Sequence, residues 1–243
     1  MQKILFAMPS YNWVIPVSFV DVLLKLEIPK WVKLTYKAIT RSCIHSARNV
    51  FFKYMLDEWF DYILMCDDDN IPEINVIEQL LENNKDIVTW IIRGRIKPFP
   101  LCIYKKVPNK EWFYNYRPYD TIDVSNWYLV EVDNTWSWCV LIKREVCEKL
   151  YNKYMEMPFE SRQVEYVKTK TWEFIEFNVW IFDRKDIDFN KIEIYKKNIW
   201  EDILFFDRCQ REWYKIYCDT RVQLRHQTIP WFIVVWDKAF TSW

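Results

Sequence analysis

The sequence predicts an α/β chain built on a mixed, mostly parallel sheet with helices on both faces. Three observations carry this. Residues 61 to 72, DYILMCDDDNIP, hold a continuous apolar run, Tyr62 to Met65, that passes through Cys66 into Asp67, Asp68 and Asp69. Such a run, bounded by turn residues, reads as a strand buried on both faces. Strand-like segments alternate with segments of helical spacing through residues 1 to 100, the pattern of parallel βαβ units. The 243 residues are 51% hydrophobic, enough for one sizeable core.

Lys3 to Met8 is an apolar run ending at Pro9-Ser10-Tyr11, a first strand and its loop. Val17, Phe19, Val20, Leu23 and Leu24 form the apolar stripe of an amphipathic helix over Val17 to Leu26. Val32, Leu34, Tyr36 and Ala38 alternate, giving a second strand to Ile39. Ser42 begins a helix with Ile44, Ala47, Phe51 and Met55 at helical spacing, and Arg48 and Asn49 lie within it. The strand into Asp67 follows. Asn70 can cap a helix, Pro72 suits its first turn, and Ile74, Ile77 and Leu81 share its inner face. Asp86 to Ile92 is a further strand, leading into Arg93-Gly94-Arg95.

The second half changes character. Leu101 to Val107, Trp127 to Val132 and Trp138 to Lys143 read as short strands, with a long loop over 108 to 126. Arg144 to Tyr151 reads as a helix, and 156 to 175 as irregular. Asn198 is placed to cap a helix over Glu201 to Arg211, with Ile203, Phe206 and Cys209 inward. Lys215 to Cys218 and Val222 to Leu224 read as late strands, with His226 after them. With no repeat and no clear linker, 1–243 reads as one domain: a nucleotide-binding half, 1–100, and an acceptor-binding half, 101–243.

Composition excludes several classes. Lys plus Arg and Asp plus Glu are 34 each, so no basic excess marks a nucleic-acid binder. The 7 cysteines are scattered without a CxxC pair, which predicts buried thiols in a reducing compartment. The apolar run Ile4 to Met8 is too short for a signal peptide, and no stretch approaches a span of roughly 20 residues. A soluble, cytoplasmic protein is expected, with membrane association at most peripheral through the aromatic segment IPWFIVVWDKAFTSW.

One compositional fact is abnormal. The chain has 1 glycine, Gly94, and 15 tryptophans, where ordinary usage gives about 17 glycines. The tryptophans sit where glycine is favoured: Trp13 after Tyr11-Asn12, Trp127 after Ser125-Asn126, Trp136 and Trp138 around Ser137, Trp31 after Pro29-Lys30, and Trp213 after Arg211-Glu212. A genome that reads UGA as glycine, translated as if UGA were tryptophan, gives this pattern; the alternative is a genuinely tryptophan-rich protein. UGG codons at Trp13, Trp127 and Trp136 would end the recoding hypothesis.

Asp67, Asp68 and Asp69 fall where a central strand ends, the crevice in which open α/β sheets bind ligands. Three carboxylates cannot be packed there unpaired, so they are solvated or hold a cation. Residues i and i+2 of an extended strand point the same way, so Asp67 and Asp69 can face one ion. An EF-hand loop fits poorly, because its glycine position would be Pro72.

The strand-loop ILFAMPSYN, the SARN helix, the YILMCDDDNIP strand end, the VDNTWSWCVLIKREV segment, the WEDILFFDRCQREWYKIYCDT helix-strand and His226 together resemble family-two-like glycosyltransferases of the GT-A (Rossmann-like) fold, over about residues 2 to 226. Where that family commonly has glycine, as in DNTGSG or GED, this chain has Trp136, Trp138 and Trp200. The resemblance implies a nucleotide-sugar donor and a glycan, lipid or protein hydroxyl acceptor. It implies Asp67 and Asp69 as the DxD pair holding Mn²⁺ or Mg²⁺, with Asp68 able to replace either and His226 a further ligand. Pro9, Tyr11, Arg48, Asp67 and Asp68 become candidates for the nucleotide sugar. Asp202 becomes the general base of an inverting transfer, with Glu201 on the acceptor. A helix start favours acids anyway. His45 gets no role. The other open classes are a nucleotidyltransferase making nucleotide sugars and a non-catalytic sugar- or nucleotide-binding member of the fold.

Overall fold

The computed structural model describes residues 1–10, 17–40, 42, 44–91, 101–108, 114–118, 128–135, 139–154, 162–168, 174–176, 194–199, 201–222, 225–229, 232–234 and 239–241. Residues 107–108, 114–118, 162–168, 174–176, 194–199, 201, 225–229, 232–234 and 239–241 are described by backbone alone. In chain order the elements are β1 (Gln2–Ser10), α1 (Val17–Lys25), β2 (Val32–Thr40), α2 (Ile44–Asp57), β3 (Tyr62–Cys66), β4 (Asn70–Ile71), α3 (Val76–Glu82) and β5 (Ile87–Trp90). There follow β6 (Ile103–Pro108), β7 (Tyr114–Pro118), β8 (Leu129–Val132), β9 (Asn134–Thr135), β10 (Cys139–Lys143), α4 (Arg144–Lys153), β11 (Arg162–Lys168), β12 (Phe174–Glu176) and β13 (Ile194–Ile199). The last are α5 (Glu201–Arg211), β14 (Ile216–Asp219), β15 (Arg225–Ile229), β16 (Phe232–Val234) and β17 (Ala239–Thr241).

The principal sheet has 7 strands in the order β2-β1-β3-β10-β5-β14-β8. β1 is parallel to β2 and β3, and β14 to β5. β10 runs antiparallel between β3 and β5, and β8 antiparallel to β14. The sheet is therefore mixed and mostly parallel, with β2, β1, β3, β5 and β14 pointing one way. Three small sheets complete the fold: β12-β11-β13, β17-β16-β15-β4 and β7-β6-β9.

Alternation along β1 sorts its side chains onto the two faces. Leu5 and Ala7 join Phe51, Phe52 and Met55 of α2, Leu150 of α4 and Phe205 of α5 in one core. Ile4, Phe6 and Met8 join Phe19 of α1 and Val76, Ile77 and Leu80 of α3 in the other. Helices thus cover both faces, as the sequence predicts. Each fully buried Phe or Leu contributes about 1.5–3 kcal/mol. The six described cysteines are buried thiols. No helix among the described residues is long and apolar enough to cross a membrane.

Four expectations need correction. Asn70 caps no helix: Asn70–Ile71 is β4, its backbone paired with Arg225 and His226 of β15, and α3 starts only at Val76 with Asn75 at its N-cap. Asn198 lies inside β13, paired with Gln163 of β11, so it is not free to cap α5. The segments 108–126 and 156–175 are not wholly irregular, because β7 pairs with β6 and β11 with β13. The late strand expected over Val222 to Leu224 does not include Val222, residues 223–224 lie outside the described residues, and the strand begins at Arg225 with His226 inside it. In each case long-range pairing overrode a local propensity. The Arg93-Gly94-Arg95 segment lies outside the described residues.

Candidate functional site

β1, β3, β5 and β14 all end at one edge of the principal sheet, and β10 begins there, with Cys139 opposite Cys66. Asp67, Asp68 and Asp69 leave β3 at this edge. The turn is pinned by the Asn70 N–H donating to the Asp67 carbonyl at 3.0 Å. The Cys66 thiol donates to the Asn70 carbonyl at 3.2 Å and lies 3.1 Å from Cys139 Sγ. Burial, reinforced by the Asp67 and Asp68 charges, pushes the Cys66 thiol up, so it stays protonated and packs as a small apolar group.

Each aspartate has a different partner. Arg48, fully buried on α2, places Nη2 3.3 and 3.4 Å from the two carboxylate oxygens of Asp67, itself 8% exposed. Ser10 Oγ, at the end of β1, donates to Asp68 Oδ2. Asn70 Nδ2 donates to Asp69 Oδ1 at 2.7 Å. Asp68 and Asp69 lie in a turn rather than an extended strand, so the i, i+2 alignment expected of Asp67 and Asp69 does not hold, and the three carboxylates are held in separate orientations by separate partners. Arg48 therefore faces the buried Asp67, in place of the solvent-facing position a surface helix charge would take. Pro9 is buried in β1. Tyr11 lies outside the described residues.

Topology brings residue 226 to the same place. In the β4–β15 ladder His226 pairs with Asn70, the residue after Asp69.

The start of α5 lies against β9. Asp202 is buried, and its Oδ1 accepts the Ile203 N–H at 2.7 Å, within the favourable field of the helix N-terminus. Its charge helps hold the Cys102 thiol, pushed up to about 12 chiefly by burial, in the neutral form. Asn134 Nδ2 of β9 donates to the Ile203 carbonyl at 3.0 Å. One turn further along, Lys106 Nζ of β6 meets Asp207 at 2.9 Å. β9 is separated from β10 only by residues 136–138, so Thr135 and Cys139 lie at most about 14 Å apart even if extended. Glu201 opens α5 by its backbone position.

Asn134, Lys106, Ser10 and Asn70 hydrogen-bond to α5 or to the aspartates, and the sequence singled out none of them for the site. Only the adjacency of Ser10 to Pro9 and of Asn70 to Asp69 was a signal. A further acid at the same edge, Asp219, is fully buried and engaged: Asn83 Nδ2 donates to it at 2.7 Å and Arg221 Nη2 at 2.8 Å.

The Lys106–Asp207 pair makes a specific prediction. Burial opposes the Asp207 charge, but Arg211 and Lys106 outweigh it and hold the carboxyl below its usual range. A depressed carboxyl pKa stabilises the fold above the unfolded-state value and loses that contribution as pH falls through the folded one. Lys106→Met is expected to cost about 2 kcal/mol near neutral pH. The deficit should shrink as pH drops below about 4, measured by urea unfolding across pH. A pH-independent deficit would mean the pair is not the source.

No protein-family model and no curated relative matches the sequence. Among solved structures, the chain is similar to A197 from STIV at 17% identity and a TM-score of 0.57, covering 100% of this chain and 94% of that one. That likeness extends over the whole chain and shows a shared fold. The 4-diphosphocytidyl-2C-methyl-D-erythritol synthase from Anaerococcus prevotii aligns at 10% identity and a TM-score of 0.38, covering 86% of this chain and 96% of that one.

Proposed function

We propose that the chain is a GT-A-type glycosyltransferase that moves a sugar from a nucleotide-sugar donor to a hydroxyl acceptor, with inversion. The observation that carries the reading is convergence at one sheet edge. Asp67–Asp69 stand at the end of β3 with the His226 strand paired beside them, and the start of α5, packed on β9 through Asn134, supplies the further acid that the reading needs.

The donor set suits a hard divalent cation. It offers two carboxylates and an imidazole, and the nearest thiol, Cys66, is kept protonated by burial. Asp67 and Asp69, with His226, are the residues that would hold Mn²⁺ or Mg²⁺. Among the described residues no three such side chains converge, so diphosphate and water would complete the shell. Such an ion supplies charge neutralisation to the departing nucleotide diphosphate.

The protein's own groups do the rest. Arg48 fixes the Asp67 carboxylate. Pro9 and Tyr11 are assigned to the nucleotide, and Asp68, oriented by Ser10, to the donor. Asp202, its Oδ1 anchored by the Ile203 N–H, takes the proton from the acceptor hydroxyl as that oxygen attacks the anomeric carbon. Glu201 binds the acceptor. The half over 1–100 supplies the donor site, and 101–243 the acceptor site.

The test is product analysis with the full chain and Mn²⁺. One arm supplies sugar nucleotides with hydroxyl acceptors; the other supplies nucleoside triphosphates with sugar 1-phosphates. Glycoside product in the first arm is expected. Nucleotide sugar and pyrophosphate in the second would replace the reading with a nucleotidyltransferase. Binding without turnover in either would leave a non-catalytic member of the fold.

A further inference from the structure

We infer that the native chain carries glycine at Trp59 and Trp213, placed there by a UGA codon read as glycine. Among the described residues, three that are not glycine have positive φ: Trp59 at 56°, Asn84 at 45° and Trp213 at 69°. All three stand just past a helix end. At α5, the Trp213 N–H donates to the Gln210 carbonyl at 2.9 Å and the Tyr214 N–H to the Cys209 carbonyl at 3.1 Å. This is the paired hydrogen-bond pattern of a Schellman cap, with Trp213 at the left-handed position that glycine most often fills. At α2, the Phe60 N–H donates to the Met55 carbonyl at 3.1 Å, which puts Trp59 at the same position of a second cap. After α3 the position falls to Asn84, the residue that tolerates this conformation best after glycine.

A bulky side chain gains nothing at these two positions. Trp213 is 92% exposed and Trp59 71% exposed. The Arg144 guanidinium stacks 4.6 Å from the Trp59 ring, but Arg144 is already held by the Met55 and Leu56 carbonyls. The phenylalanines behave differently: Phe6, Phe19, Phe51, Phe52, Phe60, Phe205 and Phe206 are all buried. Trp90 is the buried tryptophan of the described set, and its indole N–H has no hydrogen-bond partner there, a costly arrangement in a core. Among the described residues, the phenylalanines named are buried, whereas Trp59 and Trp213 stand exposed at left-handed positions. A decoding difference explains both, together with the near absence of glycine.

Two measurements test the inference, and neither depends on the proposed activity. Peptide mass spectrometry of the protein from its native source is expected to read glycine at 59 and 213; tryptophan at both overturns the inference, as do UGG codons there. In the chain as written, Trp213→Gly is expected to raise the folding equilibrium constant roughly two- to tenfold. Relief of the left-handed strain exceeds the extra freedom glycine gives the unfolded chain. Equal or lower stability of Trp213→Gly by urea unfolding would contradict the backbone reading.

Discussion

Replacing Asp202 with asparagine is expected to lower sugar transfer by about 10²–10⁴-fold and to leave donor binding unchanged. The substitution is chosen to isolate one property. Asparagine keeps an Oδ1 that can accept the Ile203 N–H, now 2.7 Å from the carboxylate, so the first turn of α5 should keep its shape. The Asn134 bond to the Ile203 carbonyl is a backbone contact and is untouched. What is lost is the basic oxygen that, in the proposed transfer, takes the acceptor's proton. A steady-state kcat with saturating donor and acceptor, paired with calorimetric donor affinity, separates the roles. Wild-type kcat would remove Asp202 as the base; lost donor affinity would make it a binding residue instead.

The second large effect is structural. Arg48→Met is expected to destabilise the fold by about 3–5 kcal/mol, because stranding one partner of a buried ion pair costs far more than the pair itself contributes. Arg48 is fully buried and Asp67 nearly so. The double variant Arg48→Met with Asp67→Leu should recover most of the loss, since two apolar groups replace two compensated charges. Denaturant unfolding of the three proteins measures it. A single variant as stable as wild type would mean that Asp67 meets water on its open side and Arg48 is not its keeper.

Much of this organisation was legible because it is local. The apolar run Tyr62 to Met65 could be placed as a central strand, and it is. The spacing of Ala47, Phe51 and Met55 gave α2 its buried face. What was illegible depends on pairing across the chain. Nothing in Cys139–Lys143 says that it inserts antiparallel between β3 and β5. Asn70 has the side chain of a helix cap, but its backbone is claimed by a strand 156 positions later, where His226 pairs with it. Arg48 was visible as a charge on a helix, and its burial against Asp67 was not, because the helix repeat gives a face without saying what lies opposite. Lys106 and Asn134 carry no local mark at all. Their role comes from where β6 and β9 meet α5. The tryptophan anomaly was visible at Trp213, whereas Trp59 looked ordinary until its φ was known.

The central claim is that the carboxylates after β3 bind a nucleotide diphosphate sugar through a divalent cation. Calorimetric titration of uridine and guanosine diphosphate sugars into the full chain tests it, with Mn²⁺, with EDTA, and with Mn²⁺ in an Asp69→Ala variant. The account predicts saturable binding of at least one donor with Mn²⁺, and its loss both in EDTA and in Asp69→Ala. Equal affinity in all three conditions would contradict it.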